Sequence, residues 1–148
     1  MSPSVKRSAT EALKTSAPVA CVAPSKLPQW TPPQLCQLVE FAPSGRQWAH
    51  EIKLDGFRMA ARIEGGRAQL LTRTGLDWTD KCPAVLAALA NLPVKAAYLD
   101  GELCGIGADG LPSFSQTQAV SDGLRGMQLV YYAFDLLNLD GRDTAGWR

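Results

Sequence analysis

The 148-residue sequence contains four cysteines and a single histidine, and no two of the cysteines form a C-x-x-C pair. Zinc sites and disulfide frameworks need clustered or regularly spaced ligands, so this scatter predicts reduced, mostly buried thiols, as is typical of a cytoplasmic protein. Long apolar runs are also missing. Residues 15–25 are uncharged but are interrupted by Pro18 and Pro24, and no segment reaches the length of a membrane span. We therefore expect no membrane partner.

An excess of charge of either sign is lacking as well, because 15 basic residues stand against 14 acidic ones and the net charge is +1. Contact with nucleic acid must therefore come from local clusters of basic side chains and not from bulk charge. With 46% hydrophobic residues the chain can bury the core of one domain, and its length leaves no room for a second full domain.

Residues 1–28 are rich in Ser, Ala, Pro and Lys and contain almost no large apolar side chains. This composition predicts a disordered basic arm or an interdomain linker, because such a segment buries too little apolar surface to fold alone. A weak phosphate-binding tail and a targeting peptide are the alternatives. Residues 29–148 are expected to form the folded part.

Hydrophobic periodicity and turn residues predict a mixed α+β fold with antiparallel sheets and flanking helices. Two β-forming runs on either side of Gly65–Gly66 indicate a hairpin that is closed at these glycines. The other predicted elements are a loop with a short helix at 30–41, a strand at 48–54, a helix that begins at Thr79 or Asp80 and ends at Pro93, a strand at 97–106, a short helix at 113–120 capped by Ser113, and a strand at 129–135 before the turn Asp140–Gly141.

The segment Glu51-Ile-Lys-Leu-Asp-Gly-Phe-Arg58 places a lysine between two carboxylates. Alternate residues of a strand share a face, so these three side chains would point one way while Ile52 and Leu54 point into the core. Taken alone, a lysine in this setting is typical of a solvated ion-pair ladder.

Two further residues of this segment favour chemistry over packing. Gly56 lets the backbone turn tightly beside a ligand, and Arg58 brings a planar guanidinium fork that suits phosphate. A lysine beside a second cation in a partly desolvated cleft can act as a nucleophile when its amine is neutral. Lys53 is therefore a candidate nucleophile.

The pattern K-x-D-G-x-R at Lys53–Arg58 resembles the first motif of the covalent nucleotidyltransferases, which include ATP-dependent DNA ligases, RNA ligases and mRNA capping enzymes. Three further segments resemble ligase motifs in the same order: R-x-G at Arg73–Gly75, D-G-E at Asp100–Glu102, and F-D-L-L at Phe134–Leu137. The amino-acid sequence around these motifs is most similar to the ligase domain of bacterial multifunctional end-joining DNA ligases. The resemblance covers about residues 30–142.

The resemblance implies that Lys53 attacks the α-phosphate of ATP, expels pyrophosphate and becomes the adenylated residue. Glu51 and Ile52 would border the adenine, and Phe134 would stack on it. The implied product is DNA in which a 5′-phosphate has been joined to a 3′-hydroxyl.

The resemblance also implies how phosphate and metal are held. Arg58 and Arg73 would bind the ribose or the 5′-phosphate of a nick through charge-assisted hydrogen bonds. Glu102 would take a ribose hydroxyl or help to place Mg²⁺ (or Mn²⁺), a hard cation that prefers carboxylate and water. The implied partners are nicked or broken double-stranded DNA and other end-joining repair proteins, in the bacterial cytoplasm and associated with the nucleoid.

The family pattern continues with a later glutamate motif, a lysine-rich motif and an oligonucleotide-binding barrel, and this sequence contains none of them. We therefore expect the N-terminal part of an adenylation domain that binds ATP weakly and seals nicks poorly or not at all. The alternative is a catalytically incomplete remnant of a ligase that binds nucleotide or DNA.

Overall fold

A computed structural model of the chain describes residues 26–124 and 126–146, so the predicted arm at 1–28 lies almost entirely outside the described residues. The strands of the described part are β1 (Phe57–Glu64), β2 (Arg67–Thr72), β3 (Ala96–Ile106), β4 (Pro112–Ser113), β5 (Leu129–Leu139) and β6 (Arg142–Asp143). Its helices are α1 (Pro83–Ala90) and α2 (Phe114–Ser121), with a 3-10 helix at Thr79–Lys81.

These strands form one six-stranded sheet in the order β2-β1-β3-β5-β6, and β4 pairs with β3 off this path. Every pairing is antiparallel. The predicted α+β class with an antiparallel sheet and flanking helices is therefore confirmed. None of the helices in the described ranges is long and apolar enough to cross a bilayer.

The hairpin of β1 and β2 is confirmed at its predicted turn. Gly65 and Gly66 have φ angles of 58° and 74°, which glycine adopts without a steric penalty and which suit a two-residue hairpin turn. The pair Glu64–Arg67 closes the ladder. The turn therefore fixes the register of the hairpin locally.

The alternation of side chains along β1 divides the sheet into two faces. One face is apolar and is covered by α1, so that Met59, Ala61 and Ile63 pack with Val85 and Leu89. The other face carries a smaller buried cluster and, further along, polar side chains. That cluster contains Leu27, Ala60, Leu71 and Tyr98.

Gly101 lies where β3 must accommodate the half-buried Tyr131 of β5. The hydroxyl of Tyr131 donates to the carbonyl oxygen of Met59 at 3.0 Å, so its ring crosses over Gly101. A Cβ at Gly101 would lie 2.5 Å from Cζ of Tyr131 and 2.5 Å from the carbonyl oxygen of Tyr132. Any side chain at position 101 would therefore push β3 and β5 apart.

The strand predicted at 48–54 is wrong, because these residues form no regular element and β1 begins only at Phe57. The reason is that β3 offers this segment no free edge. The pairing of β1 with β3 ends at Phe57–Leu103, and β4 pairs with β3 just beyond it, at Gly105 and Ile106. β-Forming side chains do not make a strand without a partner edge. The inference that Ile52 points into the core is wrong for the same reason, since Ile52 is 86% exposed.

The short helix predicted within 30–41 is also absent. Pro32 and Pro33 have no backbone N–H to donate, and the apolar side chains that follow, such as Leu38 and Phe41, are exposed. The helix predicted to begin at Thr79 or Asp80 begins at Pro83 instead. A 3-10 turn precedes it, and the fixed φ of proline suits the first helical position.

The cysteine prediction can be checked at three of the four positions. Cys82 and Cys104 are buried free thiols, as expected, whereas Cys36 is exposed. Burial raises the pKa of the Cys104 thiol to about 11, so this thiol stays protonated and unreactive near neutral pH.

We predict that Gly101→Ala lowers the free energy of unfolding by about 1–3 kcal/mol, because the added methyl group overlaps with a backbone oxygen that cannot move aside. Urea denaturation followed by far-ultraviolet circular dichroism measures the change. Gly146→Ala is the matched control, since a Cβ there meets nothing within 4 Å and should change stability by less than about 0.5 kcal/mol. Equal stability of the two variants would contradict the close-approach argument.

Candidate active site

The sheet register brings three of the sequence motifs side by side on its polar face. Arg58 of β1 pairs with Glu102 of β3. Arg73 follows Thr72, which pairs with Met59, so it lies one position beyond β2 at the level of Arg58. Residues that are 15 to 44 positions apart in the chain are thus brought into one row across the sheet.

Arg58 is held by Asp100 in a bidentate ion pair. Nε and Nη2 of Arg58 donate to Oδ1 and Oδ2 of Asp100, each at 2.7 Å. The side chains are 26% and 8% exposed, so the pair is largely shielded from water. Hydrogen bonding to the Asp100 carboxylate, which accepts, raises the pKa of the Arg58 guanidinium. The guanidinium keeps N–H groups beyond the two that bind Asp100, and these are available to a phosphate or hydroxyl.

Phe134 reaches the same arginine because β5 bulges. The register shifts between Gly101–Ala133 and Asp100–Asp135, which leaves Phe134 as the extra residue. A bulge turns a side chain away from its regular direction. The centroid of the Phe134 ring lies 4.5 Å from Cζ of Arg58, in a cation–π contact. One face of the ring is therefore covered, and the residue is still 37% exposed.

Glu102 connects the sheet to the segment that precedes β1. Its Oε1 accepts a hydrogen bond from the backbone N–H of Gly56 at 3.1 Å. Burial raises the pKa of the Glu102 carboxyl, while that hydrogen bond and the charges of Arg58 and Lys53 oppose the rise. Lys53 therefore lies close enough for its charge to act on Glu102.

The glycine of the first motif is required by a close approach to β3. A Cβ at Gly56 would lie 2.3 Å from the carbonyl oxygen of Leu103 and 2.8 Å from Sγ of Cys104. Only a residue without a side chain lets the backbone lie flat on β3 at this point. Gly56 therefore docks the 51–56 segment directly beside Glu102.

Lys53 itself lies in solvent on that segment. Its Nζ is 3.6 Å from Oδ1 of Asp55, and the two side chains are 86% and 69% exposed. A pair this exposed contributes little to stability. Glu51 and Ile52 are exposed as well. The predicted nucleophile and adenine-bordering residues thus share one accessible segment above Glu102.

Arg73 is exposed at a tight turn. The backbone N–H of Gly75 donates to the carbonyl oxygen of Thr72 at 2.8 Å, and the N–H of Leu76 donates to the Thr72 hydroxyl at 3.0 Å. Gly75 has a φ of 83°, which favours glycine. The structure therefore places Arg73 beside the other site residues, with its side chain exposed to solvent.

Asp100 is the site residue for which sequence reasoning named no role. The D-G-E pattern contained the signal, because Asp100 and Glu102 are two positions apart on one strand and so share a face. What the sequence could not provide was the partner of Asp100. The pairing with Arg58 depends on the register of β1 against β3.

The site offers few protein ligands to a metal ion. In the described part of the chain, no group of three or more His, Cys, Asp or Glu residues could hold a metal ion. The carboxylate of Asp100 is engaged by Arg58, whereas Glu102 accepts a hydrogen bond at one oxygen. A single carboxylate fits Mg²⁺, which usually takes one or two carboxylates together with water and substrate phosphates.

Comparison with known proteins identifies the class to which this fold and site correspond. The family model of the ATP dependent DNA ligase domain matches residues 33–146, and the chain belongs to this family. It is similar to the multifunctional non-homologous end joining protein LigD of Pseudomonas aeruginosa, with 44% identity over 117 residues that are 79% of this chain and 14% of that protein. A probable DNA ligase of Streptomyces coelicolor is 39% identical over 103 residues, which cover 64% of this chain and 20% of that protein.

Solved structures agree with this assignment. The ligase domain of Mycobacterium tuberculosis LigD matches with a TM-score of 0.58 at 38% identity, and a mycobacterial DNA ligase D complexed with ATP and MES matches with a TM-score of 0.59 at 37% identity. Each match covers 66% of this chain and 32% of the solved one. The chain thus spans about a third of the solved ligase chains and a much smaller share of full-length LigD.

We predict that Asp100→Asn lowers the free energy of unfolding by about 2 kcal/mol, because an amide replaces a carboxylate that accepts two hydrogen bonds from a charged, largely buried group. Urea denaturation measures the loss. Asp122→Asn, at an exposed carboxylate after α2, is the matched control and should change stability by less than about 0.5 kcal/mol. A double-mutant cycle with Arg58→Met should show that the effect depends on Arg58; simple additivity would contradict the pairing.

We predict a pH dependence that originates at Glu102. Its folded-state pKa is raised, so the folded protein binds the proton more tightly than the unfolded chain does. The stabilisation is present below the ordinary pKa of 4.5 and is lost as pH rises through the folded-state pKa. Glu102→Gln should therefore gain stability relative to the unsubstituted chain as pH rises from 4.5, as measured by urea denaturation at several pH values. Parallel pH profiles of the two proteins would exclude this contribution.

Proposed function

We propose that this chain is the N-terminal part of a DNA ligase adenylation domain and that Lys53 is its nucleophile. The observation that carries the proposal is the arrangement beneath the 51–56 segment. There Arg58 is fixed by Asp100 and Phe134 and lies beside Glu102, with the lysine exposed above them. Fixed positive charge beside an accessible amine suits attack on a phosphate ester.

In the proposed reaction, Nζ of Lys53 in its neutral form donates its electron pair to the α-phosphorus of ATP. A P–N bond forms, the P–O bond to the β-phosphate breaks, and pyrophosphate leaves with the electron pair of that P–O bond while the nitrogen loses a proton. The adenylate then passes to the 5′-phosphate at a nick, and the neighbouring 3′-hydroxyl displaces AMP to close the strand. The free access to Lys53 suits entry of both substrates.

The other site residues would hold the nucleotide and the DNA end. The guanidinium N–H groups of Arg58 that do not contact Asp100, together with Arg73, would bind the ribose or the 5′-phosphate. Phe134 would offer the adenine the ring face that Arg58 does not cover. Glu51 and Ile52 would border the adenine from the exposed segment that carries Lys53.

Glu102 would place Mg²⁺ or Mn²⁺ or would bind a ribose hydroxyl. The metal, when bound, would neutralise charge on the phosphates of ATP. The hydrogen bond that the backbone N–H of Gly56 donates to Glu102 orients this carboxylate toward the segment that carries the nucleophile.

The proposed partner is nicked or broken double-stranded DNA, and other end-joining repair proteins are further candidates. The names of the LigD relatives support the repair context. The site of action would be the bacterial cytoplasm, in association with the nucleoid.

A second function is supported by the setting of Lys53. Its side chain is 86% exposed, and its ion-pair partner Asp55 is exposed as well. Phosphoryl transfer depends on positioned charge on several sides of the phosphate. The alternative proposal is therefore a catalytically incomplete remnant that binds nucleotide or DNA without forming the lysyl adenylate.

Labelling with ATP that carries radioactive α-phosphate separates the two functions. The full chain is incubated with the nucleotide and Mg²⁺ or Mn²⁺, denatured, and examined for covalent label. We expect label that disappears in Lys53→Ala, because the new P–N bond forms at Nζ of that residue. Lys95→Ala, at an exposed lysine before β3, is the control and should retain the label.

Label that survives Lys53→Ala, or the absence of any label, would overturn the proposed nucleophile. Absent label combined with saturable ATP or DNA binding would establish the incomplete remnant instead.

A further inference from the structure

The segment 27–31 crosses the polar face of the sheet next to the site. Leu27 is 4% exposed within the cluster that contains Ala60, Leu71 and Tyr98. The carbonyl oxygen of Pro28 accepts a hydrogen bond from Nε of Arg62 at 3.2 Å. The segment is thus fixed to β1, β2 and β3.

Trp30 lies between two such fixed points. After it, the backbone N–H of Thr31 donates to the hydroxyl of Tyr98 at 2.9 Å, which holds the main chain on β3. Before it, Pro28 is bound by Arg62. The backbone of Trp30 is therefore held on both sides.

The indole ring of Trp30 packs against the turn that carries Arg73. A Cβ at Gly75 would lie 3.3 Å from Cδ2 and 3.4 Å from Cε2 and Cγ of Trp30, so the ring lies flat against the glycine backbone. Trp30 is 39% exposed, so the rest of its surface is covered by the protein. Gly75 thus serves two requirements, a φ of 83° and the close approach of the indole.

We propose that Trp30 is a positioning residue that fixes the turn at Thr72–Leu76 and thereby the direction in which Arg73 leaves the sheet. This inference rests on the proposed function for the role of Arg73, whereas the fixing of the turn stands on the contacts alone. Arg73 has an exposed side chain, and the turn beneath it is held by its own hydrogen bonds and by the indole. Without the indole, the turn retains only its internal hydrogen bonds, and the guanidinium samples more directions.

The first test needs no ligand. Amide hydrogen exchange of the full chain is measured by NMR for the unsubstituted chain, Trp30→Ala, Trp30→Phe and Trp48→Ala. In Trp30→Ala the amides of Gly75 and Leu76 should exchange about tenfold faster, while the amide of Ile63, near the end of β1 and away from this turn, is unchanged. Trp30→Phe should retain most of the protection, and Trp48→Ala, at a tryptophan that is 52% exposed, should retain all of it.

Unchanged exchange at Gly75 and Leu76 in Trp30→Ala would overturn the proposal. Equally faster exchange throughout the sheet would overturn it too, because Trp30 would then stabilise the whole fold and not this turn.

The second test separates this proposal from the proposed function. Binding of a nicked duplex with a 5′-phosphate is compared with binding of the same duplex with a 5′-hydroxyl, by fluorescence anisotropy at low salt. Arg73→Ala and Trp30→Ala should each reduce the preference for 5′-phosphate, and the double variant should show no further loss. Additive losses would contradict positioning through Arg73. A loosened turn in a protein that never prefers 5′-phosphate would support the role of Trp30 in the turn and overturn the role assigned to Arg73.

Discussion

The bidentate ion pair of Arg58 and Asp100 is the interaction on which the site depends. It lies across β1 and β3 and is mostly shielded from water, so its two hydrogen bonds act in a medium that screens charge weakly. Because the guanidinium is fixed, Phe134 can pack on it and Glu102 lies beside a permanent positive charge. A mobile arginine at position 58 would leave the Asp100 carboxylate and the Phe134 ring without their partner.

Two glycines make this arrangement possible by allowing backbones to approach. Gly56 lets the segment with Lys53 lie directly on β3, and Gly101 gives the ring of Tyr131 room beneath the strand that carries Asp100 and Glu102. Both glycines belong to the motifs on which the sequence resemblance to the ligases rests, the first to K-x-D-G-x-R and the second to D-G-E. Their conformational freedom is not the reason in either case, since neither has a positive φ. The reason is steric, and the motifs therefore encode packing as well as chemistry.

The contrast between the fixed base of the site and its exposed nucleophile bears on function. Arg58, Asp100 and Glu102 are ordered by the sheet, whereas Lys53 lies in solvent with one weak ion-pair partner. The chain spans about a third of the solved ligase chains that it matches, and phosphoryl transfer depends on positioned positive charge on several sides of the phosphate. The charged base of the site is thus preorganised by the sheet, whereas the sheet does not fix the position of the nucleophile.

The sequence by itself determined four features of this protein: the order of the four motifs, the hairpin at Gly65–Gly66, the antiparallel α+β class and the strand around Asp100. These features depend on local propensity, turn chemistry and spacing, which act over a few residues. Only the tertiary structure decided that Arg58 binds Asp100, that a bulge turns Phe134 onto Arg58, that β4 prevents a strand at 48–54, and that Trp30 packs on Gly75. Each of these depends on which edge or register a distant segment occupies, and that choice is made by the packing of the whole sheet.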